Sequence, residues 1–457
     1  MASVPKLVLL ALLCSCYHSL VAHARDARSN KVLDIESMKP KSVCSKPKAV
    51  PSSANGTTVR LHHRHGPCSP TSSKNKAPPT LEETLQRDQL RAAYIQRKLS
   101  RASSGVQQSN VTVPTTLGTS LNTGEYVITV GLGSQAATQR MLIDTGSDVS
   151  WVQCKPCPQC HDQADALFDP AASTTYSAFS CSSAACAQLH QPGCSNSQCQ
   201  YSVTYGDRST TTGTYSSDTL TLGSDDVVES FQFGCSHVES GFDDDLSDGL
   251  MGLGGGTQSL VSQTAGTFGN AFSYCLPPTA SSAGFLTLGA GPSSGSGFVT
   301  TPMLRSRQVP TFYAVALQAI TVGGRQLNVP SSVFSGGTVV DSGTVVTRLP
   351  PTAYKALSAA FKAGMKQYKP APARPLLDTC FDFSGQTTIS VPPVSLVFAG
   401  GAVVDLDVSG ILLENCLAFT ANDDDGSFGI IGNVQQRTFE VLYDVGGGSF
   451  GFRAGAC

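Results

Sequence analysis

The sequence predicts an all-β protein built as two lobes, and three observations support this prediction. Many short β-branched or aromatic runs after residue 124 end in Gly, Asp, Ser or Pro, as in FQFGC and FEVLYDV. The 457 residues are too many for one ordinary core and enough for two. One short phrase, an apolar run followed by Asp, a hydroxyl residue and Gly, occurs at Asp144 and again at Asp341.

The first 24 residues have the pattern of a secretory signal peptide. Lys6 precedes the apolar run LVLLALLCSC, and Ala22-His23-Ala24 supplies the small residues that cleavage after Ala24 requires. The run is too short to span a bilayer well, so we expect no membrane anchor. The pattern predicts a secreted or vacuolar protein rather than a plastid protein.

The segment after the signal pattern is basic, whereas the rest of the chain is acidic. Residues 25–101 hold 16 Lys and Arg against 6 Asp and Glu, and residues 102–457 hold 14 against 27. A basic leader can bind nucleic acid. Because this leader precedes a self-contained acidic body, we expect it to lie across that body instead.

The leader contains one clear helix candidate, TLEETLQRDQLRAAYIQRKL, in which Thr80 and Glu83 form a capping box. The polar stretch that follows is typical of a processing zone, and we place the end of the leader at residue 112. The tract HHRH is interpreted as a pH-sensitive basic patch rather than a metal site. Glycosylation sequons begin at Asn55 and Asn110.

The body divides near a turn-rich connector, GPSSGSG. We expect an N-terminal lobe over 113–304, with Asp144 and a cysteine-rich insert, and a C-terminal lobe over 305–457, with Asp341. Few helices are expected in the body. The best candidate is PTAYKALSAAFKAGMKQYK, with Thr352 as its N-cap.

The repeated phrase fits a pair of catalytic carboxylates. Asp144 and Asp341 each follow an apolar run, and a carboxylate at the end of a buried strand needs hydrogen-bond donors. The Gly of each phrase permits a tight turn, and Ser147 and Thr344 can donate hydroxyl hydrogen bonds. Two facing carboxyls share one proton, so one can act as a base toward water and the other as an acid toward a carbonyl. A single copy would equally fit a surface turn.

Residues from about 124 to 457 resemble a pepsin-type aspartic protease, on the phrases MLIDTGSDVSW and TVVDSGTVVT, their spacing and their flanks. The cysteines and the leader segment RLHHRHGPCSP make the chain similar to the plant nepenthesin-like and nucleoid-protease branch of that family. The resemblance implies the bilobal pepsin-like acid protease fold, with two β-barrel-like lobes, an active-site cleft between them and a few short helices. It also implies that residues 25–112 are a propeptide.

The resemblance assigns roles to individual residues. Tyr205 and Gly206 in VTYGDRS match the flap over the substrate, and Trp151 matches the tryptophan that hydrogen-bonds the flap tyrosine. Arg208 stands where the flap of relatives has Gly, so we expect it to narrow or redirect specificity. The turns LMG and IIG match those that thread beneath the two catalytic loops. The residues expected to support those loops are Thr145, Gly146, Ser147, Ser342, Gly343 and Thr344.

The cysteines indicate an oxidising compartment. The 12 cysteines from Cys154 onward allow six disulfides, and the residues alone do not fix their pairing. The run CKPCPQCH also fits a haem-attachment or zinc motif, but disulfides explain it more simply, so we expect no cofactor and no metal. The acidic patches GFDDDLSD and ANDDDGS are interpreted as solvated loops rather than calcium sites. The pairs that the resemblance implies are Cys154–Cys157, Cys160–Cys235, Cys181–Cys199, Cys186–Cys194, Cys275–Cys457 and Cys380–Cys416.

The sequence therefore predicts an aspartic-type endopeptidase that is made as a secreted proenzyme and acts at acid pH. We expect polypeptide substrates with bulky apolar side chains, a monomer, and a propeptide that inhibits its own enzyme. One alternative is a binding protein of the same fold, such as a hydrolase inhibitor or a storage globulin. Another is a plastid nucleoid protease whose leader binds DNA. The presence of both aspartates and the secretory N-terminal pattern favour the secreted endopeptidase over these two alternatives.

Overall fold

The structure is a computed structural model of the 457-residue chain. It describes residues 30–38, 44, 56–71, 79–104 and 126–457, except 207, 224–225, 243–245, 278, 280 and 290–296. The signal-peptide pattern and the asparagines of both sequons, Asn55 and Asn110, lie outside the described residues. No helix in the described part of the chain is long and apolar enough to cross a membrane.

Three elements of the leader pack on the body. Strand β1, Lys31–Asp34, pairs antiparallel with Thr388–Val391 of the C-terminal half, and the two form a two-stranded sheet. Strand β2, Thr57–His63, lies between two body strands. Helix α1, Leu81–Ser104, begins at the predicted capping box, in which the Glu83 N–H donates to Thr80 Oγ1 at 3.2 Å. The Thr80 N–H donates in return to Glu83 Oε2 at 2.7 Å, so the cap prediction is confirmed.

Strands dominate the body, as the sequence predicts. Their alternating burial reflects β-branched and aromatic residues on half-buried sheets. Strands β3 to β13 are, in order, Tyr126–Leu132, Ala137–Asp144, Trp151–Gln153, Ser177–Ala178, Gly193–Ser195, Gln198–Thr204, Thr210–Leu222, Asp226–Ser240, Gly249–Gly252, Ala271–Cys275 and Ala283–Leu288. Strands β14 to β30 are Val299–Arg305, Tyr313–Val315, Leu317–Val322, Arg325–Gln326, Thr338–Val340, Thr347–Leu349, Lys369–Pro370, Phe381–Asp382, Thr388–Val391, Val394–Phe398, Ala402–Asp405, Leu412–Leu413, Cys416–Leu417, Phe419–Ala421, Gly429–Ile431, Phe439–Asp444 and Ser449–Ala454.

The helices of the body are short, apart from one. That longer helix begins at Pro351, with Pro350 as its N-cap, so Thr352 lies inside the helix and the predicted cap is wrong. Proline suits the first turn because its φ is preset and it has no N–H to leave unpaired. Helices α2 to α6 are Ala184–Ala187, Leu260–Gln263, Ala265–Phe268, Pro351–Gly364 and Asn433–Gln436, and the 3₁₀ helices are Ile35–Met38, Pro170–Ala172, Ser331–Phe334, Ala399–Gly401 and Val408–Gly410.

Most strands join one sheet system that closes on itself and includes strands of both lobes. The lobes meet where β12 pairs antiparallel with β29, which in turn pairs with β30. Strand β14 runs through the expected lobe boundary at residue 304 and pairs with β15 and β30 of the C-terminal half. The leader strand β2 pairs with β13 on one side and β3 on the other, so the leader is built into this sheet. The main cluster of buried apolar side chains runs through both lobes and includes Leu61 of β2.

Each lobe repeats one local arrangement around its aspartate. Strand β4 ends at Asp144 and pairs in parallel with β11, which places Gly252 opposite Asp144. Strand β18 leads into Asp341 and pairs in parallel with β28, which places Ile431 opposite Val340. The sequence repeat is therefore also a structural repeat, and it includes the two apolar-apolar-Gly turns.

The disulfides differ in part from the expected pairing. Cys275–Cys457 and Cys380–Cys416 are as expected, whereas the four other expected pairs are wrong. Cys154 lies at the end of β5 directly beside β10, which carries Cys235, and this leaves Cys157 and Cys160 to close a tight loop. In the insert, the two buried cysteines, Cys186 and Cys199, pair with each other, and the two more accessible ones, Cys181 and Cys194, form the other bridge. The bridges are Cys44–Cys68, Cys154–Cys235, Cys157–Cys160, Cys181–Cys194, Cys186–Cys199, Cys275–Cys457 and Cys380–Cys416.

Candidate active site

The two aspartates meet at the bottom of the cleft between the lobes. Both are buried, with side-chain exposures of 3% for Asp144 and 0% for Asp341. One nitrogen of the Arg91 guanidinium contacts both carboxylates, at 2.5 Å from Asp144 Oδ1 and 2.7 Å from Asp341 Oδ1. The structure thus brings the two sequence-predicted carboxylates within reach of one atom.

Each carboxylate is held by donors from its own turn. The Gly146 N–H donates to Asp144 Oδ1 at 2.9 Å. The Gly343 N–H lies 3.4 Å from Asp341 Oδ1, and Thr344 Oγ1 donates to Asp341 Oδ2 at 2.5 Å. These contacts supply the donors that a buried carboxylate requires.

The two turns are tied to each other by reciprocal hydrogen bonds. The Ser342 N–H donates to Thr145 Oγ1 at 2.9 Å, and the Thr145 N–H donates to Ser342 Oγ at 3.2 Å. Both hydroxyl residues are buried. The hydroxyl after each Asp therefore links the lobes and fixes the spacing of the carboxylates.

The predicted hydrogen bond from the Ser147 hydroxyl is wrong. Among the described residues, Ser147 Oγ has no hydrogen-bond partner, so it does not donate to Asp144. The next residue, Asp148, has the stronger contacts: it accepts from the Gly256 N–H at 2.8 Å and from Thr311 Oγ1 at 2.6 Å. Burial raises the pKa of Asp148 above its ordinary value. Sequence analysis missed Asp148, although a second carboxyl only four residues after Asp144 indicated a further polar group at the catalytic loop.

The candidate flap is the turn between β8 and β9, and Tyr205 and Gly206 of this turn line the same pocket as Asp144. Trp151 Nε1 donates to Tyr205 Oη at 2.7 Å, the contact that the resemblance implies. The ring of Phe242 packs edge-on against both Trp151 and Tyr205. Arg208 has a φ of 73°, a left-handed conformation that favours glycine, so the residue that departs from the family pattern is also strained.

The CPQCH run supports the flap indirectly, through His161. Cys157 and Cys160 are bonded to each other, and no cluster of potential metal ligands occurs among the described residues. His161 is 2% exposed; its Nδ1 faces Glu239 Oε2 at 2.6 Å, and its Nε2 faces the Ser247 carbonyl at 2.9 Å. Both ring nitrogens therefore face acceptors, and the Gln153 amide nitrogen also lies 3.3 Å from Nε2. The ring stacks on Phe242, which in turn contacts the flap tyrosine.

Helix α1 of the leader fills the cleft. Arg91 Nε pairs with Asp341 Oδ2 at 2.7 Å, in addition to the contacts of its terminal nitrogen. Burial alone would raise the pKa of Asp341, but the charge and hydrogen bonds of Arg91, together with the bond from Thr344, outweigh it and hold that pKa below its ordinary value. Tyr94 lies beneath the flap, where a Cβ on Gly206 would come within 2.7 Å of it. The sequence predicted the leader's position in general terms but did not single out Arg91.

Comparisons with known proteins place this geometry in a family. Residues 126–290 match the xylanase inhibitor N-terminal family model, and residues 312–454 match the xylanase inhibitor C-terminal model. An aspartyl protease family protein of Arabidopsis thaliana is 41% identical over 95% of this chain and 94% of its own. Aspartic proteinase nepenthesin-2 of Nepenthes gracilis is 38% identical over 70% of this chain and 75% of its own. The crystal structure of basic 7S globulin from soybean superposes with a TM-score of 0.58 at 22% identity, over 72% of this chain and 91% of that one.

A bilobal β fold with one Asp turn in each lobe defines the pepsin-like class. The curated relatives cover nearly the whole chain at about 40% identity. The chain belongs to the pepsin-like family of aspartic proteases, the family that includes the nepenthesins.

Proposed function

We propose that the chain is an aspartic endopeptidase that hydrolyses peptide bonds with a water activated between Asp144 and Asp341. The observation that carries this proposal is the contact of both carboxylates with one nitrogen, on loops tied by Thr145 and Ser342. A site that one nitrogen occupies is the right size for one water oxygen. The retention of both aspartates in a family with named proteases supports the same reading.

The mechanism follows from the charge of the pair. Once Arg91 has left, two adjacent carboxyls cannot both ionise easily and share one proton. The ionised carboxylate takes a proton from the water, which attacks the peptide carbonyl, while the protonated partner donates its proton to the carbonyl oxygen. Collapse of the tetrahedral intermediate then breaks the C–N bond, the amine leaves with a proton from the pair, and a hydroxyl of the intermediate returns its proton to the other carboxylate. The donors from Gly146, Gly343 and Thr344 keep the carboxylates oriented throughout.

The described form corresponds to an inactive proenzyme in this proposal. Arg91 occupies the position of the water, and the rest of α1 blocks access for a peptide. Residues 25–112 are then an intramolecular inhibitor, and activity requires its release, which we expect at acid pH. The processing zone after α1 lies outside the described residues.

The proposed setting is a secretory one. The signal-peptide pattern of residues 1–24 and the disulfides suit an extracellular or vacuolar location. We propose that the protein acts on polypeptides as a monomer.

The test of the proposed activity is cleavage of a denatured protein at pH 3 to 6 by the chain after removal of its leader. We expect acid activity that pepstatin abolishes and that Asp144→Asn lowers by roughly two to four orders of magnitude. Asp162→Asn, on the insert away from the dyad, is the matched control and should retain activity. Folded, processed protein without any cleavage would reject the proposal.

A second candidate function is a binding protein that no longer cleaves peptides. The family models that match are those of xylanase inhibitors, and the basic 7S globulin from soybean shares the fold. A processed chain that is folded and inactive yet binds a polysaccharide hydrolase would support this alternative.

A further inference from the structure

A second buried ion pair joins the leader helix to the C-terminal lobe. Asp88 of α1 has a side-chain exposure of 0%, and its Oδ2 lies 3.0 Å from the terminal nitrogen of Arg348, which is 7% exposed. The backbone N–H of Val345 donates to the other oxygen of Asp88 at 2.5 Å, and the N–H of Val346 also contributes. The carboxylate thus lies in a built site of one guanidinium and two backbone donors.

The body does not satisfy this guanidinium by itself. Among the described residues, Asp88 is the carboxylate that pairs with Arg348, and Arg348 Nε is buried without a hydrogen-bond partner. A buried charge that loses its partner is costly. Removal of the leader therefore leaves a cation and two N–H groups in need of acceptors.

The site lies close to the catalytic pair. Val345 follows Asp341 by only four residues, and Asp88 precedes Arg91 by three residues on the same helix, a rise of about 4.5 Å. Leu85, one turn before Asp88, belongs to a cluster of buried apolar side chains that includes Val345 and Val346. The helix therefore presents an apolar side chain and a carboxylate to neighbouring positions of the cleft that it blocks.

We propose that Arg348, with the backbone N–H groups of Val345 and Val346, forms a carboxylate subsite of the working cleft. The subsite takes the side chain of an Asp or Glu residue of the substrate, near the scissile bond. Asp88 occupies this subsite in the described form, as Arg91 occupies the catalytic pair. This inference rests on the proposed function, since it names a substrate class for that same cleft.

The subsite predicts selectivity at one substrate position. A guanidinium with backbone donors binds a carboxylate more strongly than the isosteric amide, and it disfavours a substrate cation. At pH 5, where a substrate carboxylate is largely ionised, we expect a peptide with Asp at that position to have a kcat/KM about tenfold above that of its Asn counterpart. Lys at the same position should be the poorest of the three.

The experiment uses the full chain after leader removal and peptide series that place Asp, Asn or Lys at each position around one cleavable bond. Arg348→Met should abolish the Asp-to-Asn ratio. Arg348→Lys should restore part of the ratio. Arg325→Met, an exposed cation on a distant hairpin, is the matched control and should leave the ratio unchanged.

The outcomes separate this inference from the proposed function. Cleavage without an acid-selective position, or a ratio that survives Arg348→Met, overturns the subsite and leaves the protease assignment intact. No cleavage of any peptide overturns both. The wild-type ratio is measured without a substitution, so a folding defect in Arg348→Met cannot hide the result.

Discussion

At the scale of single residues, the site depends on close packing that only glycine permits at two positions. The glycine of each apolar-apolar-Gly turn touches the catalytic loop of its own lobe. A Cβ on Gly252 would lie 2.3 Å from the Asp148 carbonyl oxygen, and one on Gly432 would lie 2.5 Å from the Val345 carbonyl oxygen. Glycine is required there because the neighbours are backbone atoms, which cannot rotate away.

Gly252→Ala should therefore damage both stability and activity. The added methyl group forces the backbone of the Asp144 loop to shift, at an expected cost of about 1–3 kcal/mol. The measurement is thermal unfolding, together with cleavage by the processed chain. Gly266→Ala is the control, because nothing lies within 4 Å of a Cβ there. Equal melting temperatures for the two variants would contradict the packing argument.

The buried pair of His161 and Glu239 makes a second prediction at this scale. Both side chains are 2% exposed, so His161→Gln removes the imidazole that contacts the buried Glu239 carboxyl, and we expect a loss of about 3–5 kcal/mol. Denaturant unfolding measures this loss. Lys155→Met breaks an exposed pair with Asp169 and should cost at most about 1 kcal/mol. A similar small cost for His161→Gln would show that the pair is not structurally important.

At the scale of elements, helix α1 occupies the cleft much as a peptide would. Its apolar residues Ala92, Ile95 and Leu99 pack with Val339 and Ile430 beside the second catalytic loop. Its charged residues Asp88 and Arg91 meet the opposite charges of the cleft. Helix α1 thus packs against the apolar surface of the site and also pairs with its charged groups.

Arg91→Met should release part of the inhibition that we propose for the leader. The substitution keeps most of the apolar stem but removes the charge that neutralises Asp144 and Asp341, so α1 binds the cleft less tightly. We expect the unprocessed chain to cleave peptides, or to lose its leader, at least about tenfold faster than the wild type. Arg97→Met, at an exposed position of the same helix, should match the wild type. Unchanged latency in Arg91→Met would show that Arg91 does not hold the leader in place.

At the scale of the whole molecule, a basic leader is bound to an acidic body. Residues 25–101 hold 16 basic residues against 6 acidic ones, and residues 102–457 hold 14 against 27. The leader contributes strands to two sheets and a helix to the cleft. The release that we propose for it would therefore change the whole structure, and we expect that change to be sensitive to pH.

Acid should weaken the docking of the leader. Burial, with the charge of Arg60, lowers the pKa of His62 below 6.5 in the docked form, so the undocked form takes up the proton first and docking weakens as pH falls below about 6.5. The depressed pKa of Asp341 acts in the same direction at lower pH, because docking is lost as that carboxylate becomes protonated. The raised pKa of Asp88 opposes both.

The measurement is the rate of leader loss from the purified unprocessed chain between pH 3 and 7. We expect the rate to rise as pH falls, with one increase near neutral pH, called the neutral step, and a second at lower pH, called the acid step. His62→Gln should remove the neutral step, since Gln does not titrate there, and leave the acid step. His190→Gln, at an exposed position of the body, is the control. A neutral step that persists in His62→Gln would assign it to another group.

The sequence by itself determined the features that neighbouring residues specify. The strand-rich body, the capping box of α1 and the two Asp turns are local, because side-chain alternation, a four-residue cap and a Gly turn each act over a few positions. The position of the candidate pair also followed from the sequence, since the phrase occurs twice with the same flanks. The N-cap of α5 did not, because two proline residues compete with Thr352 at that helix start.

Only the tertiary structure decided which distant residues meet. The pairing of Cys154 with Cys235 depends on two strands that lie side by side. The contacts of Arg91 with the aspartates and of Asp88 with Arg348 depend on how a helix docks between lobes. Such contacts join positions far apart in the chain, and their energy depends on burial and on charge geometry. Neither quantity is fixed until the lobes and the leader have packed together.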